Sequence, residues 1–125
     1  MLRDVFWGEW SIDVPEVFRL SFWVKAKIIN HESDQVYMKF YTKNKEKSLT
    51  VIYKEPLQEI ALIDSEGHEI STSFAAQTND YFIVCVSQTA TERTIAACQI
   101  DGDPAIAKGK VRPFGALKSF SIGLI

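Results

Sequence analysis

The stretch "CQIDGDPAIAK" sets Asp101 and Asp103 on either side of Gly102. These residue types hold calcium or share a proton in acid–base work. A calcium loop needs more oxygen ligands in phase, the Asp-x-Asx-x-Asx-Gly series with a distal Glu, and that series is missing here. Asp-Gly between two apolar runs is instead the pattern of a hairpin turn, because both residues tolerate left-handed backbone. His31-Glu32 and His68-Glu69 each begin like a zinc motif without a second histidine four residues on, and both read as loop residues. Cys85 and Cys98 lie equally far from Thr91-Glu92, which predicts them opposite each other on neighbouring strands. That placement suits a cross-strand disulfide at some registers, and the apolar neighbours Val84, Val86 and Ala97 equally suit two buried free thiols. There is no Gly-x-Ser-x-Gly elbow, no phosphate-binding glycine loop and no nucleophile beside a base. The expectation is a chain with no catalytic residues, no metal and no cofactor.

The elements that must position these residues are strands. From Phe18 the even positions Phe18, Leu20, Phe22, Val24, Ala26 and Ile28 are apolar, while Arg19, Ser21, Trp23, Lys25 and Lys27 alternate with them. This period of two predicts a strand with one dry face. Next, Val36, Met38 and Phe40 fall on one side of a second strand and Tyr37, Lys39, Tyr41 and Lys43 on the other. Residues 49–53 form a third strand that Pro56 stops, and 60–63 and 69–74 flank a glycine-bearing hairpin loop at Gly67. The nearly continuous apolar run 81–87 predicts a strand central to its sheet, with 94–100 as its hairpin partner. Phe120, Ile122 and Leu124 close the chain in alternation, and "DVFWGEWSIDV" predicts a strand at a sheet edge that brings the two ends together, its tryptophans in the core. All four prolines fall between strands. Roughly eight to ten strands and almost no helical periodicity predict an all-β, two-sheet antiparallel sandwich.

The 125 residues suit one domain, 1–125, with a core that needs no staples. Fourteen basic against 16 acidic residues, with no block of one sign, argue against nucleic acid as a partner. No stretch approaches the roughly 20 apolar residues that cross a bilayer, and the start lacks a signal-peptide pattern. A soluble chain is expected, its compartment left open by the cysteines.

The run from Tyr81 to Gly123, with "TIAACQIDGDPAIAKGKVRPFGALKSFSIG", resembles the C-terminal half of a galectin: a strand, an Asn-Gly-like turn, a short strand, then a closing "L-x-I-x-G"-type strand. "QVYMKFYTK" is similar in phase to the galectin strand that carries sugar contacts, and "SFWVK" and the "DG" hairpin are similar to laminin-G-like domains of the same jelly-roll superfamily. The resemblance implies a galectin-like jelly roll and a recognition role. Where galectins place histidine, asparagine and arginine, this sequence has Lys39, Tyr41 and Lys43, and the family's following asparagine and tryptophan are missing. Classical galactoside binding is therefore expected to be lost. Glucanases on the same superfamily fold carry closely spaced carboxylates along one strand, a pattern that Asp101 and Asp103 in a turn do not reproduce. The expected site is a patch of Trp23, Tyr37, Lys39, Tyr41 and Lys43, aromatics for contact area and lysines for orientation. It would bind a protein partner or, in the alternative, a glycan; a third reading is a structural domain of a larger polypeptide.

Overall fold

The computed structural model describes residues 6–25, 34–77, 79–112 and 115–123, with the side chains of Phe6 and Trp7 outside the description. Ten strands are seen there: β1 (Phe6–Val14), β2 (Phe18–Lys25), β3 (Asp34–Tyr41), β4 (Ser48–Lys54), β5 (Glu59–Asp64), β6 (Glu69–Ser73), β7 (Tyr81–Gln88), β8 (Glu92–Gln99), β9 (Ala105–Lys110) and β10 (Leu117–Gly123). They form two antiparallel sheets, β1-β10-β3-β4-β5-β6 and β2-β7-β8-β9. The two-sheet sandwich expected from the alternation is therefore present, with β7 inside its sheet and β1 pairing β10 at an edge, Phe6 opposite Gly123. No helix among the described residues is long and apolar enough to cross a membrane.

Inward-facing residues of both layers make one core. Leu49, Val51 and Tyr53 of β4 and Ile60 and Leu62 of β5 meet Phe82, Val84 and Val86 of β7 and Ile95 and Ala97 of β8. Each of these has almost no contact with water, and burying one large aliphatic or aromatic side chain contributes about 1.5–3 kcal/mol. Tyr53 fits this interior because its hydroxyl is satisfied: it donates to the Phe74 carbonyl at 2.7 Å and accepts from the Ala76 amide at 3.1 Å. The layers close tightly along one long edge, where β6 lies against β9. Gly109 makes that approach possible, since a Cβ there would stand 2.5 Å from Ile70 Cγ2.

Simple alternation fails at one point in β3. Val36 pairs with Ile52 but Met38 pairs with Val51, so β3 advances two residues while β4 advances one. This bulge around Tyr37 breaks the strict in–out phase of β3. Val36 accordingly joins Ile52 and Ala61 in a small second cluster, whereas Tyr37 and Met38, adjacent in sequence, both reach the main core.

The Asp101-Gly102 turn is a turn, built slightly differently from the expected two-residue hairpin. Ala97 pairs with Ala105, so the loop is longer. Asp101 adopts the left-handed φ of 63°, and the Gly102 amide bonds the Gln99 carbonyl at 3.1 Å.

Candidate partner-binding face

β7 and β8 are apolar on both faces, although one face alone meets the core. Their outward residues line up across the short sheet in register. Trp23 stands opposite Ile83, and Ile83 opposite Cys98. In the next row Ser21, Cys85, Ala96 and Ile106 run from β2 to β9. Tyr81 pairs with Lys25 at one end. Arg19, Ser87, Thr94 and Lys108 form a polar row at the other. Trp23 is 61% exposed, Ile100 59%, Ile106 53% and Tyr81 49%, so the borders of this face carry wet apolar surface, while Ile83, Cys85, Ala96 and Cys98 in its middle are half-buried. Its rim is of mixed charge: Arg19, Lys25, Lys108 and Lys110 are exposed, and so are Glu92 opposite Lys110 and Asp101 and Asp103 at the β8–β9 turn. Lys25 Nζ lies 5.4 Å from the centre of the Tyr81 ring, a cation–π contact that holds the lysine along the edge of the patch.

The five residues expected to form one patch do not come together. The expectation treated the first two strands as neighbours, but β2 belongs to the four-stranded sheet and β3 to the six-stranded one, so their outer faces point in opposite directions. Trp23 is outward as expected. Tyr37 is not: the β3 bulge turns it into the core, 4% exposed, between Tyr53 (ring centres 6.3 Å apart) and Phe82 (6.0 Å). Lys39 and Tyr41 do face out, from the six-stranded sheet, and Lys43 lies in a single exposed 3-10 turn, Lys43–Lys45.

Around Tyr41 the polar face is engaged with itself. Lys39 Nζ and Lys45 Nζ sit 5.7 and 5.1 Å from the centre of its ring. Lys45 also pairs with Glu9 at 2.9 Å, and Ser119 Oγ bonds Glu9 at 3.3 Å. The hydrogen bond from Lys45 holds the Glu9 carboxyl below its ordinary range. A shallow groove of about 280 Å³ runs beside Lys39, Ser48, Thr50 and Ile63 on this sheet.

Neither cysteine is bridged. The β7–β8 register sets Cys85 opposite Ala96 and Cys98 opposite Ile83, which corrects the expectation that they oppose each other. The hairpin is centred one residue earlier than the symmetry about Thr91-Glu92 implied, with Gln88 opposite Arg93 and the Thr89 amide bonding the Glu92 carbonyl at 2.8 Å. Diagonal positions of this kind lie about 7–8 Å apart, beyond disulfide reach. Both thiols are half-buried on the outer face, and Cys98 donates to the Gly102 carbonyl at 3.1 Å. His31 lies outside the described residues; His68 is in the β5–β6 turn, its Nδ1 3.0 Å from Asp64 Oδ2.

Sequence reasoning missed a buried ion pair joining the two layers. Arg93 at the start of β8 and Asp64 at the end of β5 meet at 2.5 Å, both almost inaccessible to water. Arg93 Nε also donates to Gln88 Oε1 at 2.7 Å, and Gln88 Nε2 donates to the Glu16 carbonyl at 2.7 Å. Asp64 Oδ1 accepts from the amides of Glu66 and His68, each at 2.9 Å. Burial pushes the Asp64 carboxyl up, but the hydrogen bonds from Arg93 and His68 and the Arg93 charge together hold it below the ordinary value. The available signal was phase: Arg93 shares its parity with Ile95 and Ala97, and so was due to point inward.

No protein-family profile and no curated protein matches this chain. Solved structures do. The LG1–3 region of the laminin α2 chain is similar over 94% of this chain and 24% of that one, with a TM-score of 0.68 and 12% identity. The enzymatically active domain of tailspike protein 2 from bacteriophage CBA120 is similar over 92% of this chain and 22% of that one, with a TM-score of 0.54 and 9% identity. The chain thus spans about a quarter of the length of either matched chain, and at these identities the likeness is one of fold alone.

Proposed function

We propose that this chain is a non-catalytic recognition module that binds a protein partner through the outer face of its four-stranded sheet, with Trp23 as the main anchor. The observation that carries the reading is the continuity of that face. Trp23, Ile83, Cys85, Ala96, Cys98 and Ile106 are neighbours in register, with Trp23 and Ile106 more than half in water and the residues between them half-buried. Contiguous apolar surface with a polar rim marks association sites, and tryptophan is the residue type most often found to dominate their energy. The charged rim, basic at Arg19, Lys25 and Lys108 and acidic at Glu92, Asp101 and Asp103, would set the orientation of a partner of complementary charge. A galectin-like character, without the galactoside set, is compatible with this use of the sandwich.

Retention of a partner by the wild-type chain, Trp23→Ala, Ile106→Lys and Tyr41→Ala tests the proposal. Loss of retention in the first two variants, with unchanged thermal midpoints and with Tyr41→Ala still binding, is the expected pattern. Retention that survives Trp23→Ala and Ile106→Lys together overturns it. The groove beside Lys39, Ser48 and Thr50 on the six-stranded sheet favours a second reading, a glycan held there. Discrete glycan-array hits that disappear in Tyr41→Ala and persist in Trp23→Ala would select that reading.

A further inference from the structure

The two sheets differ in width, and the difference falls on one side. From the closed edge inward, β9 lies on β6 and β8 on β5. Continuing the order of both sheets brings β2 over β3, and no further described strand covers β10 and β1. Two apolar grooves, of about 310 and 160 Å³, run along this open side. From β2 the smaller is lined by Leu20, Ser21 and Phe22, and the larger by Phe22, Trp23, Val24 and Lys25. Successive residues of a strand point to opposite faces, so grooves that meet all six in turn follow the hydrogen-bonding edge of β2 rather than either of its faces. Their floor is the inner side of the wider sheet, at Ile12, Met38, Phe40, Phe120 and Ile122. Tyr37 also lines the larger groove, but its hydroxyl is buried, without a hydrogen-bond partner among the described residues, and takes no part in it.

β2 has the features of an edge that accepts another strand. Every second residue of an antiparallel strand turns its N–H and C=O away from a given neighbour, and on the side away from β7 no described strand meets those of β2. Exposed edges are ordinarily blunted by bulges, shortness, proline or inward-pointing charge. The pairing of β1, the other edge on the open side, is interrupted by register shifts at two places, and β6, with five residues, lies against β9 at the closed side. β2 instead pairs with β7 without interruption over its eight residues, and its inward Leu20, Phe22 and Val24 are apolar and only half-buried. A second copy of the chain does not fit here, because a two-fold pairing of β2 with its twin would drive the overhanging β10 and β1 of both copies into the same space. A single extended segment does fit. Charge selects it further: Arg19 and Lys25, outward near the two ends of β2, are exposed and form no ion pair with a described residue, so acidic residues set opposite them would be matched across the ladder.

We infer that β2 is a docking edge for an extended segment of a partner protein, apolar at alternate residues and acidic opposite Arg19 and Lys25, which adds antiparallel to β2 as a fifth strand of the narrow sheet. Its apolar side chains fill the two grooves over Phe120 and Ile122, and its backbone takes the unmet groups of β2. This site stands apart from the outer-face reading: Trp23 and Lys25 serve both, whereas Ile83 and Ile106 line neither groove.

The test uses the full chain and a capped peptide, Glu-Val-Thr-Val-Thr-Val-Glu, whose valines match Leu20, Phe22 and Val24 and whose glutamates match Arg19 and Lys25. Amide hydrogen exchange followed by NMR is the readout. Alternate amides of β2 that exchange freely in the chain alone should gain protection when the peptide binds, and the methyl groups of Met38 and Ile122 should shift. Exchanging both glutamates for lysine should weaken binding by about fivefold or more. Ile122→Glu sets a charge in the larger groove and should abolish binding, circular dichroism verifying its fold. Ile106→Lys, on the outer face, should leave the peptide affinity unchanged, which keeps failure of the outer-face reading distinct from failure here. Absence of binding at millimolar peptide, binding that protects no β2 amide, binding lost in Ile106→Lys, or indifference to the charge reversal would each overturn the inference. So would β2 amides already protected in the chain alone, since another part of this chain or a second copy would then hold the edge. The protection pattern decides the matter even if Ile122→Glu does not fold.

Discussion

Asp64→Asn is the sharpest probe of how the layers are joined. The substitution keeps the shape of the side chain and removes its charge, leaving the Arg93 guanidinium buried at 2% side-chain exposure beside a neutral amide. Asp64 receives bonds from Arg93, the His68 ring and the Glu66 and His68 amides. An asparagine has one acceptor oxygen where the carboxylate has two, so part of this set must be abandoned. Breaking a buried pair by removing one partner costs about 3–5 kcal/mol. Against a typical domain stability of about 5–15 kcal/mol, that is a large fraction of the total. Urea unfolding at neutral pH, followed by circular dichroism and extrapolated to water, reads the loss. Replacing both partners, Asp64→Leu with Arg93→Met, should recover part of it, because the two charges of the pair leave together while the Glu66 and His68 amides and Gln88 Oε1 lose their partners. The pH dependence has a definite sign. The folded carboxyl titrates below its unfolded value, so its contribution is complete above the unfolded pKa of about 3.9 and is lost as pH falls through the folded one. Wild type should therefore lose stability below about pH 4 by an increment that Asp64→Asn lacks. A loss under about 1 kcal/mol in Asp64→Asn, additive with Arg93→Met, would refute the claim that this pair fastens one sheet to the other.

Gly109→Ala should destabilise by about 1–3 kcal/mol in the same assay, since the new methyl meets Ile70 Cγ2 at 2.5 Å, and combining it with Ile70→Ala should cost less than the sum of the single changes. Tyr53→Phe should cost about 1–3 kcal/mol by stranding the Phe74 carbonyl and the Ala76 amide, whereas Tyr37→Phe should leave the melting temperature unchanged or raise it; a drop of similar size in both would contradict the bonding described. Mild oxidation followed by denaturing alkylation should add two labels per chain by mass, because the β7–β8 register keeps Cys85 and Cys98 from bridging; quantitative protection of both thiols would show that the register is wrong.

Alternation made individual strands legible, because side chains on opposite faces of a strand meet different solvents. It placed Trp23 outward and β1 at a sheet edge that joins the two ends, both as found, but it put the tryptophans of β1 in the core, whereas Trp10 is 41% exposed. It could not say which strands share a sheet. β2 and β3 carry the same pattern and follow each other in sequence, yet lie in different layers, and this separated Trp23 from Lys39 and Tyr41. Nor does a bulge announce itself in "QVYMKFY", where every residue from Val36 to Phe40 except Lys39 has a large apolar or aromatic body and either phase could be buried. The run of β7, apolar on both sides, signals cover on both sides. Half of that cover is the opposite sheet, and the outer half has no counterpart among the described residues, which is why a partner enters the argument. Arg93 was readable from its parity, but its carboxylate lies at the end of a distant strand, and parity gives direction without distance.

The antiparallel ladder between β1 and β10 sets Phe6 across from Gly123. Polypeptide leading into the first strand and polypeptide leaving the last therefore run from two neighbouring anchor points, like both ends of a cord tied to one post. A body attached in that way can be spliced into a surface bend of another protein without prising its host apart, and a brief bridge between those anchors would allow the backbone to be reopened at an exposed bend such as Ser65–Gly67 with the ladder kept whole.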